Sequence, residues 1–160
     1  MVVYLDTNIF YNAYCPVEDS AMADWILEQL TATSPGITCE WTLAEIFRAF
    51  KKQVNLGVIE EEQAQNALDY LIADLEELVQ TKTLRLIPVT YGVIMATRTM
   101  IFTKNLYAAD AVHAIIALNA NAESFITYDK DFKGDLGGIP ILNPGTDNFQ
   151  ESFLQYKSKS

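Results

Sequence analysis

The strongest constraint on this chain is an alternation of short apolar runs with amphipathic stretches. Val2 to Leu5 is apolar and stops at Asp6, the pattern of a buried strand. From about Ser20 to Leu30, Met22, Ile26 and Leu30 recur at helical spacing, with Trp25 and Leu27 widening the face, until Pro35-Gly36 breaks the chain. Ile37 to Glu40 predicts a second strand and Leu43 to Val54 a helix. On that helix Leu43, Ile46, Phe47 and Phe50 fall at i, i+3, i+4 and i+7, one buried stripe.

Beyond Gly57, the acids Glu60, Glu61 and Glu62 suit a helix N-terminus and lead into a long stripe from Ala64 to Val79. Its acidic face, Asp69, Asp74, Glu76 and Glu77, reads as solvated. Leu84 to Val89 predicts a third strand, Val93 to Phe102 and Tyr107 to Asn119 two helices, and Phe125 to Tyr128 and Ile139 to Leu142 the last strands. Strands alternating with helices predict an α/β domain with a mainly parallel, roughly five-stranded sheet flanked by helices. At 160 residues, against about 150 per domain, one domain is expected over residues 1–143. Residues 144–160 form a C-terminal tail in which Phe149 and Phe153 fit a short helix.

No run approaches the roughly 20 apolar residues of a membrane span, since Ala108 to Leu118 is broken by Asp110 and His113. The start, MVVYLD, carries no basic leader, so a cytoplasmic protein with no membrane partner is expected. Cys15 and Cys39 stand apart and in no metal-binding pair, as reduced structural thiols do. Eleven basic against 21 acidic residues give a net charge of −10, which disfavours wrapping duplex DNA by charge alone.

Acids recur at matching places. Asp6 ends the first strand and Asp129 the fourth, so in a parallel sheet both emerge at the carboxyl edge, where ligands of open α/β sheets collect. Glu45 lies near the front of the helix after the second strand, opposite its apolar stripe. Asp110 sits among small apolar residues in AADAVHAIIA, where an unpaired charge is costly. Singly, each has an ordinary reading as a turn, cap or solvated acid. Together they point to a divalent cation, because gathered carboxylates repel one another until a cation neutralises them. Oxygen donors suit Mg²⁺ or Mn²⁺, which polarise a phosphoryl oxygen and acidify bound water, the chemistry of phosphodiester hydrolysis.

LDTNIF at Leu5 to Phe10, AEIFRAF at Ala44 to Phe50, YAADAVHA at Tyr107 to Ala114 and FITYDKDF at Phe125 to Phe132, in this order, resemble the PIN-domain nucleases. The likeness is greatest to the toxin subunits of VapBC-type toxin-antitoxin modules. It implies a three-layer sandwich, a metal-dependent ribonuclease site of Asp6, Glu45, Asp110 and Asp129, and supporting roles for Asn8 and Thr127. It leaves Asp131 as an alternative fourth acid, with Asp129 favoured as ligand and Asp131 as an outer or loop residue. An RNA substrate, an antitoxin whose C-terminal segment covers the cleft, and a homodimer are the partners it implies. Arg48, Lys51, Lys52, Lys130 and Lys133 are the cations available to phosphates, and equally ordinary surface charge. His113, one helical turn after Asp110, reads as a packed or hydrogen-bonded helix residue rather than a general base.

Two competing readings carry different expectations. A strand-ending Asp also resembles haloacid-dehalogenase-like phosphatases, but their second acid two residues on is Asn8 here. A non-catalytic PIN-like module that binds RNA or protein needs no convergence of the four acids, whereas a nuclease does.

Overall fold

The structure, a computed structural model, describes residues 1–132 and 134–158, so Lys133 lies outside the described residues. Six strands form one sheet, not five: β1 (Val3–Leu5), β2 (Gly36–Cys39), β3 (Leu84–Ile87), β4 (Ser124–Ile126), β5 (Asp135–Leu136) and β6 (Ile139–Leu142), in the order β3-β2-β1-β4-β6-β5. All pairings are parallel except β5 with β6, a hairpin whose turn is Gly137-Gly138. Both glycines have positive φ, which other residues adopt only under strain. The extra strand is two residues long, too short to leave a period in the sequence.

The helices are α1 (Thr7–Tyr14), α2 (Ala21–Glu28), α3 (Glu40–Asn55), α4 (Glu61–Gln80), α5 (Tyr91–Lys104), α6 (Ala108–Asn119) and α7 (Phe149–Ser158). Alternation along β1 separates two cores. Val3 and Leu5 face a cluster with Ile9, Phe10, Ile26, Phe50, Leu71, Phe149 and Phe153, while Tyr4 faces one with Val93, Ile115, Ile116 and Phe125. The result is the expected three-layer α/β sandwich. None of the described helices is long and apolar enough to cross a membrane.

Local details depart from the periodicity. The sequence reading has no counterpart to α1, which Asp6 caps through its side chain. Phe47, assigned to the buried stripe of α3, is 43% exposed; Thr42, Ile46 and Phe50 are the buried residues of that helix. Asp74, read as solvated, accepts a hydrogen bond from the Tyr14 hydroxyl at 2.9 Å. In the tail, α7 buries Phe149 and Phe153, which pack edge-on against Trp25. Gly36 opens β2 where a Cβ would meet Leu30 and Leu84 at 3.0 Å, so the break seen in the sequence is also a close approach between layers.

Candidate active site

The first carboxylate, Asp6, follows β1 directly. Its Oδ1 accepts from the Thr7 amide at 2.7 Å, and its Oδ2 accepts from Asn8 Nδ2 at 2.7 Å and from Thr127 Oγ1 at 2.6 Å. Register explains the pairing: Leu5 lies opposite Ile126, so the residues that follow them meet just beyond the sheet. Burial pushes the Asp6 carboxyl pKa up, and the His113 charge with the Thr127 and Thr7 hydrogen bonds offsets that rise only in part.

α3 begins immediately after β2, which sets Glu45 in its second turn at the same edge. Glu45 Oε2 accepts from Thr7 Oγ1 and from His113 Nε2, the latter at 2.7 Å. Burial raises its pKa, but His113, by hydrogen bond and charge, and the Thr7 hydroxyl bring it below the ordinary carboxylate value. His113 is 1% exposed. Its Nδ1 lies 2.7 Å from the Tyr4 hydroxyl and 3.6 Å from Cys39 Sγ, and its Nε2 lies 4.0 Å from Asp6 Oδ1. Burial alone favours neutral imidazole; the hydrogen bonds to Cys39 and Glu45 and the charge of Asp6 overcome it and push the pKa up to about 10. The imidazolium thus stands as an internal counter-charge to Asp6 and Glu45.

Asp110 occupies the first turn of α6, whose N-terminus opens at the carboxyl edge. Burial pushes its pKa up to about 6, and the charges of Asp129, Asp6 and Glu45 push the same way. That mutual repulsion links all four acids electrostatically. Asp129 lies in the turn after β4 rather than on the strand. Its amide donates to Thr127 Oγ1 at 2.9 Å, and its Oδ1 accepts from the Asp131 amide at 2.7 Å. Asp131 is exposed and lines a separate hollow of about 510 Å³ with Lys104, Asn105, Tyr107 and Phe132.

Asn8 bridges the two strand ends, donating to Asp6 and, at 3.0 Å, to Thr127, and accepting from the Tyr128 amide at 3.1 Å. The side chains do not close on one point: among the described residues no three His, Cys, Asp or Glu groups stand close enough to share a metal ion. The convergence that separates a nuclease from a binding module is thus absent among the described residues, and the fit to a cation is one of donor chemistry alone. Four hard oxygen donors, among them Asp110, whose carboxyl pKa is raised first by burial and then by the charges of the other three, are a set that suits Mg²⁺ or Mn²⁺. Sequence reasoning left out Thr7 and Tyr4, whose roles depend on partners far along the chain. A hydroxyl directly after the strand-ending acid was the available signal for Thr7 alone.

Residues 3–134 match the family model of the PIN domain. The chain belongs to the PIN domain family. Solved structures share the fold of this PIN domain at low identity. VapBC2 from Rickettsia felis, bound to a DNA fragment from its promoter, is 23% identical with a TM-score of 0.60, over 89% of this chain and 98% of that one. FitAcB from Neisseria gonorrhoeae is 19% identical with a TM-score of 0.57, over 89% and 97%. VapC20 from Mycobacterium tuberculosis, a sarcin-ricin loop cleaving toxin, is 12% identical with a TM-score of 0.59, over 84% and 92%. No curated protein matches the chain in sequence. The family match stops before β5, so that strand, β6 and α7 of this PIN domain lie outside it.

Proposed function

We propose that this PIN domain is a divalent-metal-dependent endoribonuclease and the toxin of a toxin-antitoxin pair. What supports the reading is the placement of the four acids at one edge of the sheet: Thr7 bonds both Asp6 and Glu45, Thr127 bonds Asp6 and the amide of Asp129, and Asp110 opens α6 at the same edge. These four residues would hold Mg²⁺ or Mn²⁺, which when bound polarises a phosphoryl oxygen and lowers the pKa of water. The chain prepares the donors. Asn8 and Thr127 fix the Asp6 carboxylate in one orientation, and Thr7 and His113 fix Glu45, so neither must be ordered when substrate arrives. Asp131 sits outside this arrangement and serves the turn through its backbone amide, which supports Asp129 as the fourth ligand.

Partners follow from the same reading. An antitoxin segment with a cationic side chain would satisfy the acids and block the cleft. A homodimer would cover the outer face of α5, where Tyr91, Ile94, Met95 and Phe102 are exposed. A cytoplasmic setting suits an enzyme that meets RNA.

The test is cleavage of structured RNAs and single-stranded DNA with Mn²⁺, Mg²⁺ or EDTA, comparing the wild type with Asp6→Asn. RNA cleavage that needs metal and is lost in the variant supports the assignment. Metal-dependent cleavage untouched by Asp6→Asn refutes it. If both proteins are silent and neither binds Mn²⁺, the non-catalytic module that binds RNA or protein replaces it.

A further inference from the structure

We propose that the hollow beside Glu45, walled by Trp41 and edged by Arg48 and Lys52, is a subsite for an unpaired nucleotide of an RNA strand lying next to the cleaved bond. The inference rests on the nuclease reading above and specifies where its substrate binds. On α3, Trp41, Glu45, Arg48 and Lys52 stand at i, i+4, i+7 and i+11. At 100° per residue they share an arc of roughly 60° and extend over about 16 Å of helix. The candidate acid is thus flanked on its own helix by an aromatic ring on one side and two cations on the other.

The surroundings match that order. The hollow is about 530 Å³, and Ala44, Ala49 and, across from them on α6, Ala109 complete its lining with small side chains. Of the four acids Glu45 lines the space, and Ala109 is the neighbour of Asp110 in the chain. Trp41 is 43% exposed and lines the hollow, so its indole is accessible to a ligand there although both cores are full of buried aromatic rings. Arg48 and Lys52 are exposed, and among the described residues neither has an ion-pair partner, whereas the adjacent Lys51 pairs with Glu61 at 3.5 Å. In a chain of net charge −10, two unengaged cations beside a carboxylate cluster supply the positive charge that a phosphodiester needs in order to approach it. A base stacked on indole with its phosphates over Arg or Lys is the recurring mode of single-strand recognition, and it does not require base-edge readout. A base inside a duplex presents no free face to the indole, so the site selects unpaired nucleotides.

The chain carries its own reporter, since Trp25 and Trp41 are its two tryptophans and Trp25 is packed against Phe149 and Phe153. In a Trp25→Phe background, a mixed-sequence single-stranded oligoribonucleotide is titrated in EDTA, which prevents metal-dependent cleavage. Saturable quenching of Trp41 is expected, weakened at least tenfold by combined Arg48→Ala and Lys52→Ala, and absent with the same sequence in a perfect duplex. In parallel, Trp41→Ala should raise KM for RNA cleavage roughly 5- to 150-fold, the range for loss of one stacked base, while Mn²⁺ affinity and the unfolding midpoint stay unchanged. Trp41→Phe should restore most of the loss. An unquenched Trp41, quenching indifferent to the cation substitutions, or an unchanged KM in Trp41→Ala overturns the subsite. Failure of the wild type to cleave any RNA overturns the nuclease reading instead, and the EDTA titration still decides whether RNA occupies the hollow.

Discussion

Replacing Asp110 with Asn should stabilise the metal-free protein at neutral pH. The carboxyl is displaced from its ordinary 3.8 to about 6, by burial first and then by the charges of Asp129, Asp6 and Glu45. Such a displacement corresponds to at most about 3 kcal/mol. The group is only partly buried, so solvent screening reduces this to roughly 1.5 kcal/mol. Asp110 also lies in the first turn of α6, where the helix dipole favours its charge by about 0.5 kcal/mol. A net gain of about 1 kcal/mol remains, or a rise of roughly 2–4 °C in Tm for a chain of this size. The sign follows from proton linkage. Between pH 3.8 and about 6 the native state binds more protons at this site than the unfolded chain does. The site's contribution is therefore most favourable below 3.8 and is lost as pH rises through 6. The assay is thermal unfolding in EDTA at pH 7.5 and pH 4.0. The Asn variant should melt higher at pH 7.5, and the gap should close at pH 4.0. A variant that melts at or below the wild type at pH 7.5, or a gap of the same size at both values, would refute the argument.

His113→Leu should cost about 3 kcal/mol in urea unfolding, because it leaves the Tyr4 hydroxyl and the Glu45 carboxylate without their buried partner; Tyr4→Phe should cost about 1 kcal/mol. An unchanged midpoint in His113→Leu would show that the imidazole is not holding these groups together. Phe153→Ala should cost about 3–4 kcal/mol, as expected for a fully buried aromatic side chain packed on Trp25 and Phe149, and calorimetry showing a loss under 1 kcal/mol would mean that α7 is not part of the cooperative unit.

The elements that were legible in the sequence are those whose pattern is set by one face. β1, β2 and β4 bury short apolar runs whole, β3 and β6 bury the first residue of one, and α3 and α4 repeat their apolar residues over several turns. α1 was missed because it is eight residues long, opens with Thr-Asn and buries only Ile9 and Phe10, which is too little to establish a period. Phe47 was misassigned because helical spacing gives a direction but not what lies there; α4 leaves that part of the α3 face open. Among the acids, the placement of Asp6 and of Asp129 near the carboxyl edge followed from the parallel sheet, and Glu45 from its position opposite the apolar stripe. The partners that hold them did not follow. Thr7, Tyr4 and His113 meet Glu45 or one another across separations of 38 to 109 residues, and no local signal records such contacts.

The central pairing of β1 with β4 joins residues 3–5 to residues 124–126. During synthesis, the amino-terminal strand thus waits with one edge open until most of the chain has followed it. The carboxylate set is likewise incomplete until Asp129 has emerged and β4 has docked beside β1. Asp6, Glu45 and Asp110 all precede β4 in the chain, and what arrives with that strand is Asp129 and the Thr127 hydrogen bond to Asp6. If the site is the proposed nuclease, its fourth acid is the last to be made, an order fixed by where β4 lies in the chain.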